Sequence, residues 1–315
     1  FERCDGEVEI ISNKSCGNVY RRNTFVACSG TLTLRHGNRC SVYGNWFFGE
    51  GAKGSGGIRL IGEGHRVFNN YLARLEGDET RSAISFQLGL KDSPPNGYFQ
   101  VKGAIVAFNT IIDCKSPLAI GVGDDDAGDP SRLLAPVDCI VANNLIACRK
   151  DRPPLAIMDP RSRIQFAGNL VAAAPQGTVT RDGVRLAEVP TEPSPEGMRR
   201  PAGDSPTRAA ATADAPFVQD DIDGQPRARA RDVGCDQDSD APAPHRPLNT
   251  DDVGPDWFGR QSLTASATIF QAGGPAAAGW DLAGKLPSAR TWGHPVSRAA
   301  LWSAVRPHTA LRRSR

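Results

Sequence analysis

Four features within the first 60 residues carry side chains that could act together: the pair Glu7 and Glu9, Lys14, the dipeptide Arg35-His36, and Arg59. If Glu7-Val8-Glu9-Ile10 forms a strand with Val8 and Ile10 turned inward, the period of two puts both carboxylates on the outer face. Like charges that close repel unless a cation lies between them, and paired carboxylate oxygens are suitable ligands for Ca²⁺. The plainer alternative is a solvated strand edge. Arg35 follows Lys14 by 21 residues and Arg59 follows Arg35 by 24. In a chain that repeats at that interval the three cations fall near one another, either as a column facing an anion or as surface ion pairs. His36 is a candidate contact or a turn residue. Arg81, opening a later strand, is a further candidate contact for an anionic ligand. Asp124-Asp125-Asp126 is either a cation site or a solvated loop.

Such a column needs a repeating scaffold, and the sequence supplies one. An Asn followed by two residues that are mostly apolar or aromatic recurs at Asn23, Asn45, Asn70, Asn109, Asn144 and Asn169, with gaps of 22, 25, 39, 35 and 25 residues. Short β-branched or aromatic stretches precede each Asn. Alternating segments such as Thr31-Leu32-Thr33-Leu34 and Ile58-Arg59-Leu60-Ile61 follow several of them. One such coil cannot bury its own apolar face, whereas stacked coils share a continuous core and pair every edge but the last. The fold expected is all-β, a parallel β-helix, with the asparagines forming an internal amide ladder. The two long gaps imply loops outside the regular coil, near residues 91–97 and 123–136, and loops on a solenoid often wall the binding face.

The coils are expected over residues 1–175, followed by an irregular extension over 176–257. Its Pro/Ala/Arg-rich stretch 193–216 reads as a linker or a long excursion, and 221–235 reads as ordered chain packing back on the coils. Residues 258–315 hold eight Lys/Arg against Asp281 alone and are expected to form a disordered basic tail. The remainder is mildly acidic, and a basic excess confined to an Ala/Gly/Pro-rich tail argues against a nucleic-acid binder. No apolar run is long enough to span a membrane. Phe1-Glu2-Arg3-Cys4 leads straight into a strand pattern, which reads as a start inside a domain, with any export signal upstream. Cys4, Cys16, Cys28 and Cys40 fall at intervals of 12, so alternate members recur every 24 residues, and Cys114 and Cys139 lie 25 apart. That spacing suggests thiols stacked in the core more than disulfides, and no CxxC pair favours zinc.

Three runs then carry a specific resemblance: Glu7 to Asn18, Gly30-Thr31-Leu32-Thr33-Leu34-Arg35-His36-Gly37, and Gly56-Gly57-Ile58-Arg59-Leu60-Ile61-Gly62. In order and spacing they resemble polysaccharide lyase family 6, the group of alginate lyases and chondroitinase B. The likeness runs through Asn169, with weaker echoes near Asp223, Asp232 and Trp257. The resemblance implies a right-handed, pectate-lyase-like solenoid and a secreted or periplasmic enzyme acting on an anionic polysaccharide. It implies Lys14 as Brønsted base, Arg35 as acid, Glu7 and Glu9 as Ca²⁺ ligands, and His36 and Arg59 as sugar contacts. A further ligand of the family pattern, an Asn, falls on a coil before Phe1. The chemistry explains these types: removing the C5 proton of a uronate builds charge on its carboxylate, which a bound cation stabilises. A lysine base must be neutral to accept that proton, and nearby cations favour the neutral form. Arginine is a reluctant acid, so its part is to stabilise the leaving O4 or to relay a proton from water.

Two other function classes fit parts of the sequence. A non-catalytic carbohydrate-binding β-helix would bind without forming unsaturated product. A glycosidase using Glu7 and Glu9, about 7 Å apart on one strand, would leave Lys14 and Arg35 without a role.

Overall fold

The computed structural model describes residues 1–123, 133–149, 151–175, 178 and 181–254. Each coil contributes one short strand to each of three parallel sheets. The first sheet stacks Glu9–Ser12, Gly30–Leu34, Ser55–Leu60, Ile84–Gln87, Leu118–Val122 and Leu155–Ile157. The second begins with Val19–Arg21 and ends with Ile164–Ala167; the third runs from Thr24–Val26 to Val184–Leu186. This is the expected parallel β-helix.

Strand alternation explains which side chains face in. In the first sheet Leu32, Ile58, Ile84 and Leu118 form one register column, and Leu34, Leu60, Phe86 and Ile120 another. All eight are buried in one core. Between them lies the column Ser12, Thr33, Arg59, Ser85, Ala119, directed to the other face. The third sheet adds an inner column that begins with stacked rings, Phe1 on Phe25 at 4.7 Å and Phe25 on Phe47 at 4.4 Å. Burying each such side chain stabilises the fold by roughly 1.5–3 kcal/mol.

The turn between the second and third sheets holds the amide ladder. Asn23, Asn45, Asn70, Asn109 and Asn144 each donate Nδ2–H to the Oδ1 of the next ladder asparagine at 2.9 Å. Their backbone N–H groups donate to the same oxygens at 2.9–3.1 Å. The residue before each ladder position, Arg22, Gly44, Asn69, Phe108, Asn143 or Gly168, takes a left-handed conformation with φ between 51° and 63°. That sharp reversal, costly for a side chain such as Phe108, is offset where the ladder satisfies every polar atom it turns inward.

All eight cysteines are free, and Cys28, Cys40, Cys114, Cys139, Cys148 and Cys235 are buried. Cys4 and Cys28 are one coil apart, joined by the Ser29 N–H donating to Cys4 O at 2.8 Å. Cys114 and Cys139 do not stack: Cys139 opens a second-sheet strand while Cys114 follows a third-sheet strand. Burial pushes the Cys114 thiol up to about 12, keeping it a neutral apolar filler.

Residues of the stretch 193–216 contact the coils. Met198, Thr207 and Ala215 are buried, and the Arg199 N–H donates to Tyr71 Oη at 2.8 Å. The chain returns through 220–237, where Gly234 N–H donates to Asn143 O and Cys235 N–H to Thr110 Oγ1, both at 2.9 Å. The extension therefore covers the ladder turn and third sheet. None of these contacts involves the outer face of the first sheet. Residues 258–315 lie outside the described residues.

Candidate active site

The outer face of the first sheet brings two of the cations anticipated from spacing, Arg35 and Arg59, to one carboxylate. Thr33 and Arg59 are register partners, and Arg35 follows the Gly30–Leu34 strand. Arg35 Nη1 donates to Glu9 Oε1 at 3.1 Å, and Arg59 Nη1 lies 3.9 Å from that oxygen. Glu9 and Arg59 keep only 11% and 9% of their side-chain surface exposed, so these are largely desolvated pairs. Burial disfavours the Arg35 charge, but hydrogen bonds to Glu9 and Tyr98 outweigh it and hold the guanidinium above its usual range.

Lys14 lies on the neighbouring coil, in the turn after the Glu9–Ser12 strand. It is exposed and makes no hydrogen bond or ion pair among the described residues. Asn13 fixes its turn: the buried amide donates to Ser15 O at 2.9 Å and to His36 O at 2.7 Å, and accepts from Tyr20 Oη at 2.9 Å. His36 N–H donates back to Asn13 O at 2.9 Å. The turns carrying Lys14 and Arg35-His36 are thus tied together. Gly37, at φ 86°, is required there, since a β-carbon would lie 2.2 Å from the Ser15 carbonyl carbon. Burial, then the charges of Lys14 and Arg35, hold the His36 imidazole below its ordinary range. Its buried Nδ1 has no hydrogen-bond partner among the described residues.

The carboxylate pair departs from expectation. Glu7 and Val8 form a bend before the strand, Val8 is 45% exposed, and the register slips between Glu9 and Ile11. Strand alternation therefore does not put Glu7 and Glu9 on one face. Gly30 instead positions this bend, because a β-carbon there would come 2.7 Å from Val8 O and 2.9 Å from Glu7 O. Glu7 is left exposed.

Arg81 is not in the Arg35–Glu9–Arg59 cluster. It ends the turn Glu79–Arg81, and its guanidinium stands over Gly54, where a β-carbon would lie 3.0 Å from Nη1. That places it at the start of the first-sheet strands, whereas Arg35 lies past their end. Asp124–Asp126 falls outside the described residues.

Two contacts were missed by spacing. Gln87 is buried and its Oε1 accepts from Arg59 Nε at 3.0 Å, holding the guanidinium in the face. Tyr98, just past the anticipated 91–97 loop, accepts from Arg35 Nη1 at 3.3 Å. Its ring lies 4.9 Å from the Arg35 guanidinium and 5.4 Å from that of Arg59. A cavity of about 820 Å³ beside Phe1, Thr24 and Leu248 takes no part in this cluster.

A second acidic group, Asp221, Asp223 and Asp236, lies within the extension, with side-chain oxygens within 4.8 Å of one another. Arg200 already bridges two of them, at 2.6 Å to Asp223 and 2.8 Å to Asp236. It reads as a structural clamp.

Comparison with known proteins identifies the family. Among solved structures, the polysaccharide lyase family 6 alginate lyase AlyGC aligns at 32% identity with a TM-score of 0.63, covering 82% of this chain and 30% of its own. A mannuronic acid-specific family 6 lyase from human gut microbiota aligns at 29% with a TM-score of 0.51, covering 60% of this chain and 43% of its own. This chain thus spans less than half of either. No curated protein matches it. Residues 1–206 match the family model described as Chondroitinase B. With that match over most of its length and its parallel coils, the chain belongs to that family, polysaccharide lyase family 6.

Proposed function

We propose that this chain carries the catalytic face of a calcium-assisted lyase that cuts a uronic-acid polymer by β-elimination. Alginate is the first candidate substrate, because the solved relative AlyGC is an alginate lyase. Chondroitin or dermatan sulfate is the alternative, given the chondroitinase B family match. The supporting observation is that the turns of Lys14 and Arg35 are locked together through Asn13 beside a desolvated Glu9.

In this reading Lys14, exposed and unpaired among the described residues, takes the C5 proton. Arg35, held charged by Glu9 and Tyr98, faces the leaving O4 on the acid side. Arg59, His36 and Arg81 contact the sugar chain, with His36 neutral near pH 7 and so a hydrogen-bonding group, not a cation. Glu7 and Glu9 would hold Ca²⁺. The donor set fits in type, since both are hard oxygen ligands and Glu9 Oε2 has no partner among the described residues. Two carboxylates do not fill a shell of roughly six to eight oxygens, which leaves positions for substrate and water. When bound, calcium supplies charge neutralisation at the substrate carboxylate as the C5 proton departs. A secreted or periplasmic setting follows from a large anionic polymer as substrate.

The test is ultraviolet absorbance of the 4,5-unsaturated uronate, with alginate and with dermatan sulfate, each with calcium and with chelator. A calcium-dependent rise on one polymer supports the reading and names the substrate class. Binding without any rise in a folded protein would leave a carbohydrate-binding β-helix.

A further inference from the structure

We infer that Gln87 is a specificity-determining residue: a neutral acceptor that fixes the Arg59 guanidinium without cancelling its charge, and so keeps this face selective for an anionic sugar. The inference deepens the proposed reading and rests on Arg59 as a substrate contact. Gln87 lies two places after Ser85, the register partner of Arg59, and so points to the same outer face. It is buried, and its Oε1 accepts from Arg59 Nε at 3.0 Å. An arginine N–H only donates, so the amide must turn its oxygen toward Arg59.

The fold builds a seat for this amide. Phe86 pairs with Ile120 and Gln87 with Val122, so Gly121 is an extra residue in the neighbouring strand, a bulge beside the site. Gly121 takes φ 74°, and a β-carbon there would lie 2.8 Å from Asp159 Cβ. Leu88 N–H donates to Val122 O at 2.9 Å, resuming the ladder beyond the bulge. Gly123 then lies against the amide, since a β-carbon on it would stand 2.1 Å from Gln87 Nε2. Only glycine leaves room there for the side chain that holds Arg59.

Charge explains why the acceptor is an amide. Arg35 and Arg59 share one carboxylate, Glu9, at 3.1 and 3.9 Å, which leaves these three groups with one positive charge in excess. A carboxylate at position 87 would hold Arg59 equally well but would cancel that excess. With Nε taken by Gln87 and Nη1 turned to Glu9, Nη2 has no hydrogen bond among the described residues and is left for a substrate carboxylate. A uronate gains a charge-assisted contact there, whereas a neutral sugar does not.

Gln87→Glu keeps the size and the acceptor and adds only the charge. Binding is measured in the Lys14→Ala background, where turnover is expected to be absent, by calorimetry with alginate and dermatan sulfate tetrasaccharides in the presence of calcium. For the tetrasaccharide that binds, Gln87→Glu is expected to lower affinity about tenfold or more. Its urea midpoint should stay level or rise, so a merely structural role for Gln87 predicts no loss of binding. Gln87→Met removes the acceptor, and on polymer KM is expected to rise about tenfold with kcat within about threefold of wild type. In an Arg59→Lys background, which lacks the Nε–H, Gln87→Met should cost less than about twofold more. Undiminished affinity in Gln87→Glu overturns the inference, as does a full-sized Gln87→Met loss in the Arg59→Lys protein. If Gln87→Met does not fold, the Gln87→Glu affinities decide alone. A wild-type protein that binds a tetrasaccharide but forms no unsaturated product ends the elimination reading, while the affinities still judge Gln87; one that binds neither ends both.

Discussion

Glu9 and Arg35 sit on adjacent coils, and the carboxylate accepts the guanidinium N–H at 3.1 Å while also facing Arg59 at 3.9 Å. One anion thus separates two cations that the coil period would otherwise press together. Glu9→Gln keeps the size and an acceptor oxygen but removes that charge. The expected result is about 2 kcal/mol lower stability in urea, from uncompensated partly buried guanidiniums. Activity should fall about 100-fold, and the calcium needed for half-maximal rate should rise at least about tenfold, since a carboxylate ligand is lost. An unchanged calcium requirement would remove Glu9 from the metal site and leave it a structural counter-ion.

Lys14 presses on His36 electrostatically, and its loss has two separable readouts. Lys14→Ala is expected to abolish turnover while oligosaccharide affinity, measured by calorimetry, stays within about threefold, because a base contributes to the transition state more than to binding. The same substitution removes one of the charges that, after burial, hold the His36 imidazole down. Its titration followed by nuclear magnetic resonance should then move up toward the ordinary histidine value. For wild type the sign is that of a lowered histidine: the folded state resists protonation, so this contribution to stability is complete above pH 6.5 and is lost as pH falls toward the folded value. A Lys14→Ala protein with near-normal turnover would exclude Lys14 as the base, whatever His36 does.

The scaffold was more legible in the sequence than the full site. Ladder asparagines recur because each must meet an identical group one coil above, so identity and period are both visible. Lys14 and Arg35 were legible for the same reason, since each stands two places after the register partners Ser12 and Thr33, whereas Arg59 lies in the Ser12–Thr33 column itself. Tyr98 was not, because it enters from the 39-residue gap, where the period breaks and no interval says which residue returns to the face. Gln87 lies 28 residues after Arg59, longer than a coil, and only its outward place in Ser85-Phe86-Gln87 could have pointed to it. Glu7 was misplaced because alternation assumes a strand, and the chain bends there against Gly30. The extension attaches through polar contacts to turn residues such as Asn69 and Asn143, which leave no periodic signature.

The ladder predicts a gradient of stability along the coil axis. Asn109 is fully buried; its amide donates to Val67 O, Ala107 O and Asn144 Oδ1, and its oxygen accepts from Asn70 twice. Asn109→Ala strands the Asn70 donors in a dry interior, so a loss of about 3 kcal/mol is expected. Among the described residues Asn23 accepts from no earlier ladder member, and it is partly exposed. Asn23→Ala should cost about 1 kcal/mol. Urea midpoints with unchanged slope measure both. Equal costs at the two positions would show that the asparagines act singly and not as a ladder.

The clamp in the extension predicts a pH-dependent difference between wild type and an Arg200 variant. Burial, and then Asp223 and Asp236, push the Asp221 carboxyl up to about 6 against the pull of the Gln237 and Gln225 N–H groups. Burial likewise raises Asp236, and Arg200 opposes this. An acid raised on folding binds protons more in the native state, so its contribution declines as pH rises from about 4 through 6. Removing Arg200 takes away a cation that pairs with both Asp223 and Asp236. Arg200→Met should therefore lose roughly 3 kcal/mol at pH 7.5, where the carboxylates are ionised, and markedly less at pH 4.5, where protonation relieves them. Urea unfolding of the two proteins at both pH values provides the check, with the wild-type curve subtracting the other titrating groups. A loss of the same size at both would mean that Arg200 acts through the packing of its side chain, and not by compensating the buried carboxylates.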